Sequence, residues 1–110
     1  MTTSSTISVS TSEGHYFFNP NEIVRLEASS NYTRIFFANK KIMVSAKVLK
    51  VYETILEPFG FLRTHRTHLV NRSYISCISP GRNIIMKDLS VVEISRRMRP
   101  GVLKMLTSAA

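Results

Sequence analysis

The sequence has a single cysteine and no run of about 18 consecutive apolar residues, and both absences restrict the class of protein. Because Cys77 has no second cysteine to pair with, an intrachain disulfide is excluded and a reducing compartment is favoured. Neither a signal-peptide pattern nor a membrane-spanning segment is recognisable, so we expect a cytoplasmic protein. Since Cys77 lies in the apolar-rich run 74–78, we expect it to be a buried core residue.

Acidic residues are scarce as well, since seven Asp and Glu stand against 15 Lys and Arg, for a formal net charge of +8. The expected partner is therefore a polyanion, and charge alone is compatible with nucleic acid, an anionic membrane surface or an acidic protein. Asp88 and Glu93 have no adjacent His or Ser in a recognisable acid/base or nucleophile motif. The four glycines are scattered and form no phosphate-binding loop, so we expect neither an enzyme nor a bound cofactor.

Length and composition indicate one folded domain. With 110 residues, of which 44% are hydrophobic and 20% charged, the chain can bury one core and is too short for two. The Ser/Thr-rich residues 1–13 are expected to be a flexible lead or at most an edge strand, because only Ile7-Ser8-Val9 shows a weak alternation. The domain is therefore predicted to span residues 14–107.

Strand patterns dominate this domain. β-branched and aromatic residues recur in short segments separated by turn residues, which is typical of antiparallel strands and hairpins. The segments are 16–18, 23–27, 31–37, 42–44, 74–78, 84–86 and 91–94, with turns at Asn19-Pro20-Asn21, Asn39-Lys40 and Pro80-Gly81-Arg82-Asn83. The tail from Pro100 to Leu106 is expected to form a short helical turn.

One segment follows a helical period instead. Apolar residues recur at spacings of three and four after Ser45, a candidate N-cap, until Pro58 closes the run. They are Val48, Leu49, Tyr52, Ile55 and Leu56. The pattern predicts one amphipathic helix that covers a sheet. The opposite side is mixed in charge and is interpreted as a solvated face; it carries Lys47, Lys50, Glu53 and Glu57.

A single helix disfavours the helix-turn-helix mode of DNA recognition, which needs two adjacent helices, so any DNA contact should come from loops at strand ends. Two basic clusters, residues 63–72 and 96–99, carry donors that suit phosphate oxygens and base edges. Their spacing alone is equally compatible with ordinary solvated loops. His65 and His68 would point to opposite faces of an extended segment, which disfavours a shared metal ion.

Four blocks of the sequence occur in the order that is typical of one known family. They are I-V-R-L-E-A-S-S-N-Y-T-R at 23–34, V-S at 44–45 before a helix with Leu49, F-L-R-T-H-R-T-H-L-V-N at 61–71, and I-S-R-R at 94–97. The most specific element is the pattern F-x-R-x-H-R-x-x-L-V-N joined to the terminal S-R-R. On these residues the chain, over roughly residues 15–106, closely resembles the LytTR family of DNA-binding domains, the output modules of many bacterial transcription regulators.

The resemblance implies a mostly β fold, an elongated arrangement of small antiparallel sheets with one amphipathic helix packed on the side. It also implies sequence-specific binding of double-stranded DNA by strand-end loops, which enter successive major grooves on one face of a bent duplex. The implied partner is promoter DNA with repeated elements, where a second copy of the chain could bind beside the first. No membrane partner is implied.

Three loops should then carry the DNA contacts. The residues that the resemblance implies are Thr33, Arg34, His65, Arg66, Arg96 and Arg97. Arg66 and Arg96 are expected to read bases at stretches about one helical turn apart. Phosphate contact or bracing of the loops is implied for Tyr32, Arg63, Asn71 and Arg99. On the residues alone, Thr33 is also compatible with an ordinary strand position and His65 with a structural histidine.

Two other functions remain compatible with the sequence. The first is an interaction module whose sheet edges bind another protein. The second is a single-stranded nucleic-acid binder that stacks bases on Tyr32, Phe36 and Phe37. Strand alternation places Tyr32 and Phe36 on one face with Arg34, and Phe37 on the other, so no continuous aromatic row is expected.

The charge generates a first prediction, strong salt dependence of duplex binding. If roughly five phosphates are neutralised, a plot of the logarithm of the association constant against the logarithm of the salt concentration should have a slope of about −4 to −5. Titration of a duplex at several salt concentrations measures this slope. A slope near zero, or tighter binding to single strands than to any duplex, would contradict binding to double-stranded DNA.

Overall fold

The computed structural model describes residues 6–81 and 83–107, and strands make up most of its regular structure. In chain order they are β1 (Ile7–Thr11), β2 (Gly14–Phe18), β3 (Ile23–Ser29), β4 (Tyr32–Phe37), β5 (Ile42–Ser45), β6 (Phe61–His65), β7 (His68–Asn71), β8 (Ile75–Ile78), β9 (Asn83–Met86) and β10 (Val91–Glu93). The helices are α1 (Leu49–Leu56) and α2 (Arg99–Thr107), and single 3₁₀ turns lie at Pro20–Glu22, Glu57–Phe59 and Arg72–Tyr74.

A five-stranded antiparallel sheet in the order β5-β4-β3-β7-β6 forms the centre of the protein. Hairpins join β3 to β4, β4 to β5 and β6 to β7, and the long-range pairing of β3 with β7 unites these hairpins in one sheet. In that pairing Leu26 lies opposite Leu69, and Glu27 opposite His68. Helix α1 follows β5 at one edge and precedes β6 at the other, so the chain between them crosses a face of the sheet.

Each face of this sheet is covered by its own hydrophobic core. Ile23 and Leu69 belong to the core beneath α1 and the β1–β2 hairpin, whereas their neighbours Val24 and Val70 belong to a second core beneath β8–β10 and α2. Adjacent strand residues point to opposite faces, so consecutive apolar residues are expected where both faces are covered. Strand β4 has one covered face, and there burial alternates from residue to residue.

Helix α1 packs on the first core through Leu49, Tyr52 and Leu56, at the predicted spacing. Ile55 is half-buried at the margin of the same core. The chain leaves the helix through a 3₁₀ turn and Gly60, which has a φ of 88°. This left-handed conformation strains residues that have a side chain, so glycine suits the position.

The predicted cap of α1 is wrong. Val48 is the N-cap, without a side-chain hydrogen bond, and Ser45 is the last residue of β5. The Ser45 hydroxyl accepts a hydrogen bond from the Lys47 N–H at 3.2 Å and shares another with the buried Tyr52 hydroxyl. Ser45 therefore stabilises the connection between strand and helix, and Lys47 lies before the helix instead of on its polar face.

A second sheet in the order β10-β9-β8 packs with α2 on the other face of the central sheet. Helix α2 is longer than the predicted helical turn and buries Val102, while Leu106 packs at the edge of the same core. The expected single helix is therefore joined by a second one, which forms because its apolar side completes this core.

Cys77 is exposed, which contradicts its expected place in the core. The pairing of β8 with β9 shifts register between Ile75 and Cys77, as in a β-bulge. Ile75 and Ile78, three residues apart, therefore both pack towards the core, and Ser76 and Cys77 between them face solvent.

Of the two alternatives for residues 1–13, the structure shows the edge strand at Ile7–Thr11, so the folded part begins before residue 14. Strand β1 pairs along its whole length with β2, and its residues Ile7 and Val9 are buried in the first core. Residues 7–13 thus belong to a hairpin that helps cover the central sheet. The weak alternation in the sequence is sufficient because Ile7 and Val9 pack into the first core. Residues 1–5 of the predicted flexible lead lie outside the described residues.

The mostly β architecture of small antiparallel sheets is confirmed. The hairpin predicted to turn at Asn39-Lys40 is present as β4–β5, and the last two predicted hairpins are β8–β9 and β9–β10. In the part of the chain that the structure describes, neither helix is long and apolar enough to cross a membrane.

The packing of α1 predicts the effect of one substitution. Leu49 is 3% exposed in the first core, so Leu49→Ala should lower the free energy of unfolding by about 2–5 kcal/mol through lost contacts and a new cavity. Val51 lies on the exposed side of the same helix, and Val51→Ala should change it by less than about 1 kcal/mol. Chemical denaturation compares both variants, and equal midpoints would show that the buried face of α1 is misassigned.

Candidate nucleic-acid interface

Two turns of the central sheet lie side by side at one edge of the molecule. The end of β3 is paired with the start of β4 on one side and with the start of β7 on the other, because all these neighbours are antiparallel. The Ala28 N–H donates to the Thr67 carbonyl at 2.9 Å and so extends the contact to the β6–β7 turn. We call this side of the protein the interface edge.

A third segment, loop 95–98 between β10 and α2, joins the same edge. The Ser95 N–H donates to the Thr64 carbonyl at 2.8 Å, and the Thr64 hydroxyl donates to the Glu93 carbonyl at 3.0 Å. Thr64 is fully buried, so these two bonds attach the end of β10 to the end of β6 inside the protein. The three loops that the family resemblance implied are thus arranged in one row.

Exposed cations protrude along the interface edge. They are Arg34, Lys47, Arg66, Arg96 and Arg97. Among the acids near them, Glu27 pairs with Arg25 at 3.0 Å and Glu53 pairs with Arg63 at 2.6 Å. Glu93 is exposed beside Arg96, so among the described residues one acid stands against the five cations of this edge. The edge therefore presents positive charge in the arrangement that suits a polyanion.

Thr33 lies at this edge but does not face solvent, which corrects its expected base contact. Its side chain is fully buried, and its hydroxyl donates to the Lys47 carbonyl at 2.7 Å. Strand alternation turns Thr33 inward and Arg34 outward, so Arg34 is the residue that this loop presents. The role of Thr33 is to hold the backbone at Lys47.

Lys47 is an exposed basic residue at this edge that the sequence interpretation had placed on the polar face of the helix. Strand β5 ends at Ser45, which lies opposite Thr33, so the chain continues past the interface edge at Lys47. The apolar spacing did not reveal this, because Val48 extends the helical pattern up to Lys47, whereas the buried positions begin only at Leu49. Val48, counted as part of the apolar pattern, is 48% exposed.

The β6–β7 turn is held by hydrogen bonds from within. His65 Nδ1 accepts from the Thr67 N–H at 3.1 Å and shares a 2.8 Å hydrogen bond with the Thr67 hydroxyl. Arg63 donates through Nε to the His65 carbonyl at 2.9 Å and through Nη2 to the Arg66 carbonyl at 2.6 Å. Arg63 and His65 thus brace the turn, and the Arg66 side chain remains exposed at its tip.

Two shallow cavities lie between this turn and loop 95–98. The first, about 260 Å³, is lined by His65, Arg66, Ser95, Arg97 and Met98. The second, about 720 Å³, is lined by residues that include His65, Glu93, Arg96 and Arg99. Because Arg66 and loop 95–98 border one small cavity, the expected separation of Arg66 and Arg96 by a helical turn of about 34 Å does not fit the structure.

The remaining candidates divide between surface and interior. Tyr32 is 53% exposed at the start of β4, beside the interface. Asn71 is 2% exposed and donates to the Ile23 carbonyl at 2.9 Å, so it braces the backbone and cannot reach a phosphate. Arg99 is partly exposed and donates to the Gly81 carbonyl at 3.2 Å, which links α2 to the β8–β9 turn.

His68 lies opposite His65 in the hairpin, with the ring centroids 5.5 Å apart, so the two imidazoles are cross-strand neighbours. In residues 6–81 and 83–107, no group of three His, Cys, Asp or Glu side chains could hold a metal ion. His68 is half-buried, and its Nδ1 has no hydrogen-bond partner among the described residues. Burial lowers the pKa of His68 below its ordinary value; Glu27 opposes the shift, whereas His65 and Arg25 add to it.

Comparison with known proteins shows the family of this chain. The family model of the LytTr DNA-binding domain matches residues 13–107. The chain belongs to the LytTR family. DNA binding is thus the function of this LytTR domain, and the interface edge is its candidate site.

Two relatives extend the comparison. The sensory transduction protein LytT of Oceanobacillus iheyensis is 31% identical over 93 residues, which are 79% of this chain and 38% of that protein. The LytTR domain thus spans about two fifths of the length of this curated relative. A solved LytTr DNA-binding domain of a methyl-accepting/DNA response regulator from Bacillus cereus has a TM-score of 0.75 at 22% identity, over 93% of this chain and 95% of that one. The structural match shows that this chain and the Bacillus cereus domain share the same fold.

The environment of His68 predicts a pH effect on stability. Because its pKa is lowered in the folded protein, the unfolded chain binds the proton more tightly, and the free energy of unfolding should fall as the pH drops below about 6.5. His68→Gln removes this group, so its stability should change less than that of the wild type between about pH 7 and 5. Denaturant titrations across this range measure the difference, and parallel pH profiles of the two proteins would contradict the assignment.

Proposed function

We propose that this LytTR domain binds specific sequences of double-stranded DNA through the interface edge and acts as the DNA-reading part of a transcription regulator. The observation that carries the proposal is the row of three loops, from which the exposed cations Arg34, Lys47, Arg66, Arg96 and Arg97 protrude. Hydrogen bonds inside the protein hold these loops together, so the cations are presented to a partner as one surface.

The length of the row supports contact with more than one groove. The strands β4, β3, β7, β6 and β10 follow one another along it, and four spacings of about 4.8 Å give roughly 20 Å. Successive major grooves on one face of a duplex lie about 34 Å apart, and arginine side chains at both ends of the row extend its reach towards this span. Arg34 and loop 95–98 then address successive major grooves, and Arg66 contacts the minor groove between them.

Arginine suits base recognition, since its planar guanidinium can donate two hydrogen bonds to guanine in a major groove and is attracted into the narrow minor groove of A·T-rich DNA. Arg34, Arg66, Arg96 and Arg97 are the candidates for base contact, with His65 beside them at the turn. Lys47, a compact charge on a flexible side chain, suits a phosphate. Phosphate contacts supply affinity and base contacts supply sequence preference.

The biological target in this proposal is promoter DNA with repeated elements, on which a second copy of the domain binds beside the first. The LytTR relative is named a sensory transduction protein, and this domain corresponds to 38% of it. Control of transcription through DNA binding, without catalysis by this domain, is consistent with the name of this relative and with the small part of it that the domain represents. The protein needs no cofactor in this mode of action.

Selection of preferred sites from random duplex DNA tests the proposal. Arg34→Ala, Arg66→Ala and Arg96→Ala should each relax base preference by about 1–3 kcal/mol at its own short stretch. The stretches of Arg34 and Arg96 should be farthest apart, with that of Arg66 between them. Lys47→Ala should weaken all sequences alike and reduce the salt slope by about 1.

Lys41→Ala is the matched control, because Lys41 is exposed near the β4–β5 turn, at the opposite end of the sheet from the interface edge. It removes one positive charge and should leave base preference unchanged. If the arginine variants lose affinity for every sequence equally, these residues are phosphate anchors and the assignment of base reading is wrong. Tighter binding to single strands would reject the duplex as the partner.

A further inference from the structure

One ion pair connects α1 to the central turn of the interface. Nη1 of Arg63 lies 2.6 Å from Oε1 of Glu53, on the helix. The other donors of the same guanidinium bind the turn, with Nε at 2.9 Å from the His65 carbonyl and Nη2 at 2.6 Å from the Arg66 carbonyl. Arg63 therefore links a helix residue to the two backbone carbonyls that flank the Cα atom of Arg66.

The turn needs these bonds because its strand pairing is irregular. The register of β6 with β7 shifts between Arg63 and His65, so the end of the hairpin lacks a regular ladder. Backbone carbonyls outside a ladder require other donors, and Arg63 supplies two of them. Since the guanidinium is planar and rigid, a bond from Nη1 to Glu53 also fixes the directions of Nε and Nη2.

We propose that Glu53 is a positioning residue for DNA recognition, which holds Arg63 on the turn carbonyls and thereby sets the direction in which Arg66 approaches the bases. This inference rests on the function proposed above. Glu53 belongs to α1, which packs on the first core, and it acts on the turn through its ion pair with Arg63.

The charge of DNA makes the role of Glu53 more than structural support. Phosphates attract guanidinium groups strongly, and Arg63 lies at the base of a loop that approaches them. Its side chain is 18% exposed and its charge is paired with Glu53, so it stays on the carbonyls when DNA binds. Without Glu53, Arg63 is free to turn towards a phosphate, and the turn loses both hydrogen bonds.

This competition predicts an unusual combination of effects in Glu53→Ala. Affinity for a duplex of unrelated sequence should stay the same or rise, because a negative charge is lost near a polyanion. Base preference at the central stretch, which Arg66 contacts, should fall by roughly fivefold to 100-fold, whereas the two outer stretches keep theirs. Loss of fold alone would weaken all sequences, and loss of charge alone would leave base preference intact.

The experiment compares selected sites and affinity for an unrelated duplex among the wild type, Glu53→Ala, Glu57→Ala and Arg63→Lys. Glu57 follows α1 directly, is exposed and makes no ion pair within the described residues, so Glu57→Ala removes the same charge and should keep all base preferences. Arg63→Lys keeps the positive charge but lacks the planar fork, and should lose preference at the central stretch.

Chemical denaturation of each variant separates recognition from folding. The proposal is supported if Glu53→Ala and Arg63→Lys lose base preference at the central stretch while they keep the outer preferences and a near-native denaturation midpoint. Unchanged preference in Glu53→Ala, or a uniform loss of affinity with a lowered midpoint, overturns it. If the wild type itself selects no duplex sequence, the proposed function fails first, before any variant is compared.

Discussion

The pairing of β3 with β7 is the contact on which the arrangement of this protein depends. The two strands are some 40 residues apart in the chain, and their antiparallel register places the β3–β4 and β6–β7 turns at one edge. The same pairing brings Leu26 against Leu69 in the first core and places Val24 and Val70 in the second. One long-range set of backbone hydrogen bonds thus joins both cores and creates the interface edge.

Buried polar side chains secure this edge from the inside. Thr33, Ser45, Thr64 and Asn71 are all buried, and each makes a hydrogen bond, to Lys47, Tyr52, Glu93 and Ile23 respectively. An unpaired buried hydroxyl or amide is costly, so such groups favour the one backbone arrangement that satisfies them. The loops that carry the exposed arginines are for this reason fixed to the scaffold.

Ion pairing also decides where the protein presents positive charge. Glu27 and Glu53, two acids near the turns, are each bonded to an arginine that also contacts the sheet or turn, and Arg25 additionally lies over the Phe36 ring at 3.8 Å. Pairing uses up the partly buried charges, whereas the exposed cations at the loop tips keep theirs. The positive surface therefore lies at the loops that follow the strand ends, where the exposed cations can approach the phosphates of a duplex.

The local patterns of the sequence were sufficient for most of the strands, the buried face of α1 and the four family blocks, because alternation, helical spacing and turn residues act between near neighbours. They also located the exposed Arg34, Arg66, Arg96 and Arg97. They did not predict β6 and β7, which were seen only as a basic segment, or the ordering of β1. Other features depend on contacts between distant segments: the bulge that exposes Cys77, the core that orders β1, and the burial of Thr33 against Lys47. Whether a polar residue faces solvent or the interior is decided by what packs over it, so only the tertiary structure could separate the bracing residues of this interface from those that reach outward.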